Sequence, residues 1–101
     1  GYDTELISKI SNLVDIPVIA HGGPGKKEDV VNLTNNVDVD ALMISSLFHY
    51  KFIQENTSNP SSFEGNIEFL KNKRNYKNFK SCSIIDLKNV LINNNIQCRL
   101  E

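Results

Sequence analysis

Cysteine, histidine and net charge are all scarce in this sequence, and each scarcity excludes a class of function. The two cysteines, Cys82 and Cys98, are too few for a disulfide framework and lack C-x-x-C spacing, so they read as ordinary reduced thiols. The two histidines, His21 and His49, stand far apart with no partner at metal-ligand spacing, so no metal site is expected. A formal net charge of -1 gives no overall pull toward nucleic acid or an anionic membrane, and neither is expected as a partner. No apolar run approaches the ~18 residues a membrane-spanning helix needs, and no secretory signal pattern is legible. The expectation is a cytoplasmic protein. At 101 residues, the chain allows one domain at most. The first residue is Gly1 while a helical pattern runs almost to the other end, which suggests that the chain begins inside a larger protein.

What is present alternates between two periods. Leu6, Ile10 and Leu13, widened by Ile7 and Val14, predict an amphipathic helix over residues 4–14. Asp3 or Thr4 is its N-cap, and Asp15 and Pro17 end it. Residues 16–20, Ile-Pro-Val-Ile-Ala, form a short run apolar on both faces, as in a parallel strand covered by helices. It runs into His21-Gly22-Gly23-Pro24-Gly25. A short helix from Lys26 to Asn36 follows, then a second buried strand, Ala41 to Ile44, closed by Ser45-Ser46. Helix, strand, helix, strand with short links is the pattern of a parallel α/β sheet. The last strong element is a helix from Ile84 to Asn93. Ser83 and Asp86 form its capping box, Ile84, Leu87 and Leu91 its apolar face, and Asn94 or Asn95 its left-handed C-cap. Between them, Gln54 to Ser81 breaks the rhythm with a polar stretch, a short helical piece near Glu64 to Lys71, and a run from Lys71 to Lys80 that contains no acid.

The glycine-rich turn is the strongest chemical signal. In parallel α/β sheets, ligands bind at the carboxyl ends of strands, where glycines let the backbone approach an anion. Gly22, Gly23 and Gly25 occupy that place, and Ser45 and Ser46 occupy the equivalent end of the next strand. Together they suit one phosphate, although a plain tight turn between strand and helix has the same spacing. Dinucleotide and P-loop readings fail: Glu28 stands where G-x-G-x-x-G needs its third glycine, and Ala20 and Lys27 break a Walker A loop.

The blocks Gly1-Tyr2-Asp3-Thr4-Glu5-Leu6-Ile7, Ile16-Pro17-Val18-Ile19-Ala20 with Gly22-Gly23 and Gly25, Ser46-Leu47-Phe48-His49-Tyr50, and Arg99-Leu100 resemble the cyclase subunit of imidazole glycerol phosphate synthase. The resemblance covers about residues 1–53 and 84–101. It implies a (β/α)8 TIM barrel of which residues 1–101 are the C-terminal part, about strands seven and eight with their helices, and in which residues 54–83 are an insertion. A whole barrel needs roughly 250 residues.

The resemblance also implies a lyase that takes ammonia from a glutaminase subunit in a heterodimer. It closes an imidazole ring on a phosphorylated ribulosyl substrate, giving imidazole glycerol phosphate and an aminoimidazole carboxamide ribotide in histidine biosynthesis. No cofactor is implied. One substrate phosphate falls to Gly22, Gly23, Ser45 and Ser46, while the two catalytic aspartates belong to strands one and five. No catalytic residue is therefore expected among these residues, and no activity from them alone. Asp3 reads as a helix cap, and Asp38 and Asp40 as polar residues leading into a strand.

Two departures stand out. His21 replaces the serine usual in that family, and protonated imidazole could contact the same anion. The insertion, if it follows strand eight, emerges on the active face of the barrel. Its block Glu64 to Lys71 resembles paralogs that handle ammonia for the amidation of a surface-polysaccharide sugar, which is the alternative function. A non-catalytic phosphate-binding module is the second alternative, and it requires these 101 residues to fold alone. Open strand edges and one-sided helices argue against it. His49 matches a family histidine and is expected to serve packing.

Overall fold

The computed structural model describes residues 1–56 and 79–100. Helix α1 (Thr4–Leu13) begins at Asp3, whose carboxylate accepts the Leu6 N–H at 3.0 Å, as the sequence led us to expect. Strand β1 (Ile19–His21) starts later than the apolar run suggests. Pro17 has no N–H to give a ladder, and the Val18 N–H is taken by the Asp40 carboxylate at 2.7 Å. His21 consequently belongs to the strand and not to the loop after it. Helix α2 (Lys27–Asn36) follows, then β2 (Ala41–Met43).

The two strands pair in parallel, with Ile19 opposite Ala41, Ala20 opposite Leu42 and His21 opposite Met43. Helix α3 (Ser46–Asn56) comes next and absorbs Ser46, which the sequence pattern placed with the strand end. The last helix, α4 (Ile84–Asn93), carries the expected capping box: Ser83 Oγ accepts the Asp86 N–H at 3.0 Å, and Asp86 Oδ2 accepts the Ser83 N–H at 3.1 Å. Asn95, with φ of 60°, takes the left-handed turn beyond it. The helix expected near Glu64 to Lys71, most of the basic run and most of the 54–83 insertion lie outside the described residues.

One face of the sheet is covered. Ala20 is buried with Val30 and Leu33 of α2, Leu47 of α3, and Leu87 and Leu91 of α4. Leu33 and Leu47 are fully buried, which for side chains of this size contributes about 1.5–3 kcal/mol each. The other face is open: Ile19 is 59% and Met43 55% exposed. Helix α1 keeps its amphipathic pattern but turns Leu6, Ile10 and Leu13 outward, Leu13 being 83% exposed, while Ile7 packs against the core. Ile84, expected on the buried face of α4, is also exposed because the helix turns Leu87 and Leu91 inward. The chain thus buries the sheet face toward α2 and α4 and leaves open apolar surface on the other side. Strand β1 was expected to be covered on both faces; it is covered on one.

Candidate functional site

Parallel pairing sends both strands toward the same edge, so the segments leaving β1 and β2 begin side by side, about 4.8 Å apart as neighbouring strands are. From β1 come Gly22 and Gly23, and from β2 come Ser45 and Ser46. All four are exposed, as is His21, whose side chain shares the open face with Ile19. The five residues singled out from the sequence therefore stand along one edge of the sheet.

The glycines are there for conformational reasons. Gly22 has φ of 88° and Gly23 of 108°, both outside the range L side chains ordinarily adopt. At Gly22 a Cβ would meet open space. At Gly23 it would lie 2.5 Å from the Gly1 carbonyl oxygen and 3.6 Å from Tyr2 Cα. The turn thus packs backbone to backbone against the start of the chain, and the first block of the motif meets the second in space. Tyr2 is buried in the core, and its hydroxyl has no hydrogen-bond partner among the described residues. Burial, with the nearby Asp29 carboxylate adding to it, pushes the Tyr2 phenol up from its ordinary value.

Two helices start at this edge, and they differ. The start of α2 is already filled by its own side chain: Asp29 Oδ2 accepts the Gly25 N–H at 2.8 Å and the Lys26 N–H at 3.2 Å. A carboxylate there satisfies these two donors and suits the positive end of the helix dipole. The Gly25 and Lys26 N–H groups, just before the first turn of α2, are therefore committed to Asp29. At the start of α3 the Ser45 carbonyl accepts the Phe48 and His49 N–H groups at 3.1 and 3.0 Å. The Ser46 and Leu47 N–H groups precede any helical carbonyl that could accept them. The sequence pattern does not mark this helix start, because Ser45-Ser46 also suits the end of a strand. The signal was the same serine pair, since serine is a favoured N-cap.

The remaining polar residues are committed elsewhere. Asp40 holds the start of β1, the Asp38 carbonyl accepts the Ser11 hydroxyl, and Asp3 caps α1. His49 is exposed on α3, edge-on to Tyr50 at 5.7 Å, so its packing is against its neighbour's ring and not the core. Cys82 is buried, and burial, followed by the Asp86 charge, pushes its thiol up. Among the described residues no three His, Cys, Asp or Glu side chains gather as a metal site, and no helix is long and apolar enough to cross a membrane. A groove of about 400 Å³ lined by Thr34, Val37, Val39 and Ile96 lies at the far end of α2, by the amino end of β2.

Comparison with known proteins bears on the same stretch. The family model for histidine biosynthesis proteins matches residues 1–54. Imidazole glycerol phosphate synthase subunit HisF of Halalkalibacterium halodurans is 49% identical over 51 residues, 50% of this chain and 20% of that protein. The subunit of the same name from Nitrosopumilus maritimus is 49% identical over 51 residues, 50% of this chain and 19% of its own. That of Lachnoclostridium phytofermentans is 48% identical over 56 residues, 55% of this chain and 22% of its own. The chain spans about 20% of the length of these relatives. No solved structure matches. The family match contains β1, β2, the glycine turn and the start of α3, and it stops before the region of α4. This chain belongs to the histidine biosynthesis protein family.

Proposed function

We propose that this chain is the phosphate-holding portion of a cyclase subunit of imidazole glycerol phosphate synthase, the closing part of a (β/α)8 barrel. The observation that carries this reading is the pairing of near-half identity to HisF subunits with two strand ends, one a positive-φ glycine turn and the other the start of a helix at Ser46. In the whole protein, ammonia from a glutaminase subunit attacks a phosphorylated ribulosyl substrate. The imidazole ring then closes, and imidazole glycerol phosphate and the aminoimidazole carboxamide ribotide separate.

These residues would do none of the proton transfer. Their part is to hold one substrate phosphate through the Gly22–Gly23 backbone, the Ser46 and Leu47 N–H groups, and the Ser45 and Ser46 hydroxyls. The dipole of α3 favours the negative charge. Binding far from the reacting atoms is useful because it fixes the ribulosyl chain against the catalytic groups. His21, on the open face one residue before the turn, adds a ring N–H within the same edge.

Isothermal titration of the full-length protein with the bisphosphate substrate tests the site. Gly23→Asp puts a Cβ against the Gly1 carbonyl oxygen and adds a negative charge at the turn proposed to hold phosphate. Charge-assisted hydrogen bonds are worth about 1.5–3 kcal/mol each, so affinity should fall at least about tenfold. Unchanged affinity would sink the assignment. A second reading, the sugar-amidation paralog, is favoured by the stretch after residue 54, where the family match ends. Ammonia-dependent ring closure by the full-length protein separates the two, since only the first reading yields imidazole glycerol phosphate.

A further inference from the structure

A segment distant in sequence is fastened to the glycine turn. The Lys80 N–H donates to the Gly25 carbonyl at 2.7 Å, two residues beyond Gly23. The residues around it are anchored on every side. The Phe79 ring stands edge-on to Tyr50 of α3 at 5.1 Å, and Ser81 Oγ donates to Gln54 Oε1 at 2.9 Å. Cys82 is buried in the core, and Ser83 caps α4. Residues 79–83 thus form a strap that packs against α3, bonds to Gly25 at the end of the glycine turn and enters α4.

The strap carries a cation, Lys80, whose backbone contacts the end of the turn. The Lys80 side chain is exposed, as are those of His21 and Lys26. The acids nearby are Asp29, whose carboxylate is taken by the Gly25 and Lys26 N–H groups, Glu28 in the first turn of α2, and Asp86, which accepts the Ser83 N–H and acts with Glu28 on Cys82 of the strap. Lys51, on the neighbouring helix, is already paired with Glu55 at 3.0 Å. Lys80 lies outside residues 1–54, which the family model matches.

We propose that Lys80, fastened through its N–H to Gly25 at the end of the glycine turn, is a further anion-binding residue that strengthens phosphate capture. The proposal rests on the reading of the strand ends as a phosphate site. An ammonium on a flexible stem acts there as a point charge, without fixed hydrogen-bond geometry. Its effect is therefore electrostatic, modest and removable by salt.

The test is a titration of the full-length protein with inorganic phosphate, followed by ³¹P NMR at about 20 mM and about 500 mM salt. Lys80→Ala should weaken binding about two- to fivefold at low salt, and the difference should close at high salt. Lys80→Arg should bind as the wild type does, because it keeps the charge. Equal affinity of Lys80→Ala and wild type at low salt overturns the proposal and leaves the phosphate site standing. A loss that persists unchanged at high salt also overturns it, since the side chain would then act by shaping the turn. Binding that survives Gly23→Asp undiminished would remove the underlying site and the proposal with it. Because the Lys80 side chain is exposed, its variants should fold, which an unchanged far-ultraviolet circular dichroism spectrum verifies.

Discussion

Replacing Gly23 by alanine should destabilise the protein markedly more than replacing Gly22, although the two are adjacent and both have positive φ. At Gly22, φ of 88° is the sole obstacle, because an added Cβ meets nothing within 4 Å. Holding an L residue in such a conformation costs about 1–3 kcal/mol. Gly23 carries a similar conformational cost at φ of 108°, and its Cβ would also lie 2.5 Å from the Gly1 carbonyl oxygen where ordinary contact begins at 3.4 Å. Both partners are backbone, so no rotamer change relieves the overlap, and the turn must separate from the start of the chain. Overpacking of this kind costs about 1–3 kcal/mol more. Alanine also stiffens the unfolded chain, which returns about 0.4–1 kcal/mol in both variants and cancels from the comparison. The expected difference is therefore about 1–3 kcal/mol, with Gly23→Ala the worse. Urea unfolding of the full-length variants measures it, provided the transition is two-state and m is unchanged. Equal losses, or a milder loss at Gly23, would refute the close backbone approach.

Asp86 titrates below the ordinary carboxylate range, because the Ser83 hydroxyl and then the Ser83 N–H hydrogen-bond to its charged form. A depressed folded-state pKa stabilises the fold above the unfolded carboxylate pKa, and that support is lost as pH falls through the folded value. Asp86→Asn should therefore flatten the acid limb of the stability–pH curve, measured by thermal unfolding at stepped pH. Cys82 is buried with its thiol pushed up, so iodoacetamide at mildly alkaline pH should modify it slowly in the folded protein and quickly in urea. Fast modification under native conditions would contradict its burial. Leu47→Ala empties a fully buried position between α3 and the sheet, and should cost about 2–5 kcal/mol by denaturant unfolding.

The elements that carry their own local signals were legible in the sequence. Asp3 before α1, and Ser83 with Asp86 at α4, announce helix starts through side-chain caps, and the structure has both. The start of β1 was not legible, because it depends on the Val18 N–H being claimed by Asp40, 22 residues away. Helix α3 was hidden by its composition: Leu47 is buried while Phe52 is 66% exposed, so its apolar residues trace no single stripe. The stripes of α1 and α4 were visible, but a stripe does not say what covers it, and Leu6, Ile10 and Ile84 face outward here. The glycine turn could be read as a place where backbone approaches a partner. That one partner is the Gly1 carbonyl, and that Asp29 already takes the Gly25 and Lys26 N–H groups, depends on tertiary contacts and local hydrogen bonding that composition does not reveal.

The central claim is that two neighbouring strand ends form one phosphate site. A crystal structure of the full-length protein with the bisphosphate substrate bound tests it most directly. The expected result is a phosphate between Gly22–Gly23 and Ser45–Ser46, accepting the Ser46 or Leu47 N–H at the 2.7–3.2 Å ordinary for such bonds. A substrate bound with both phosphates away from these residues, and this edge filled only by solvent, would contradict it.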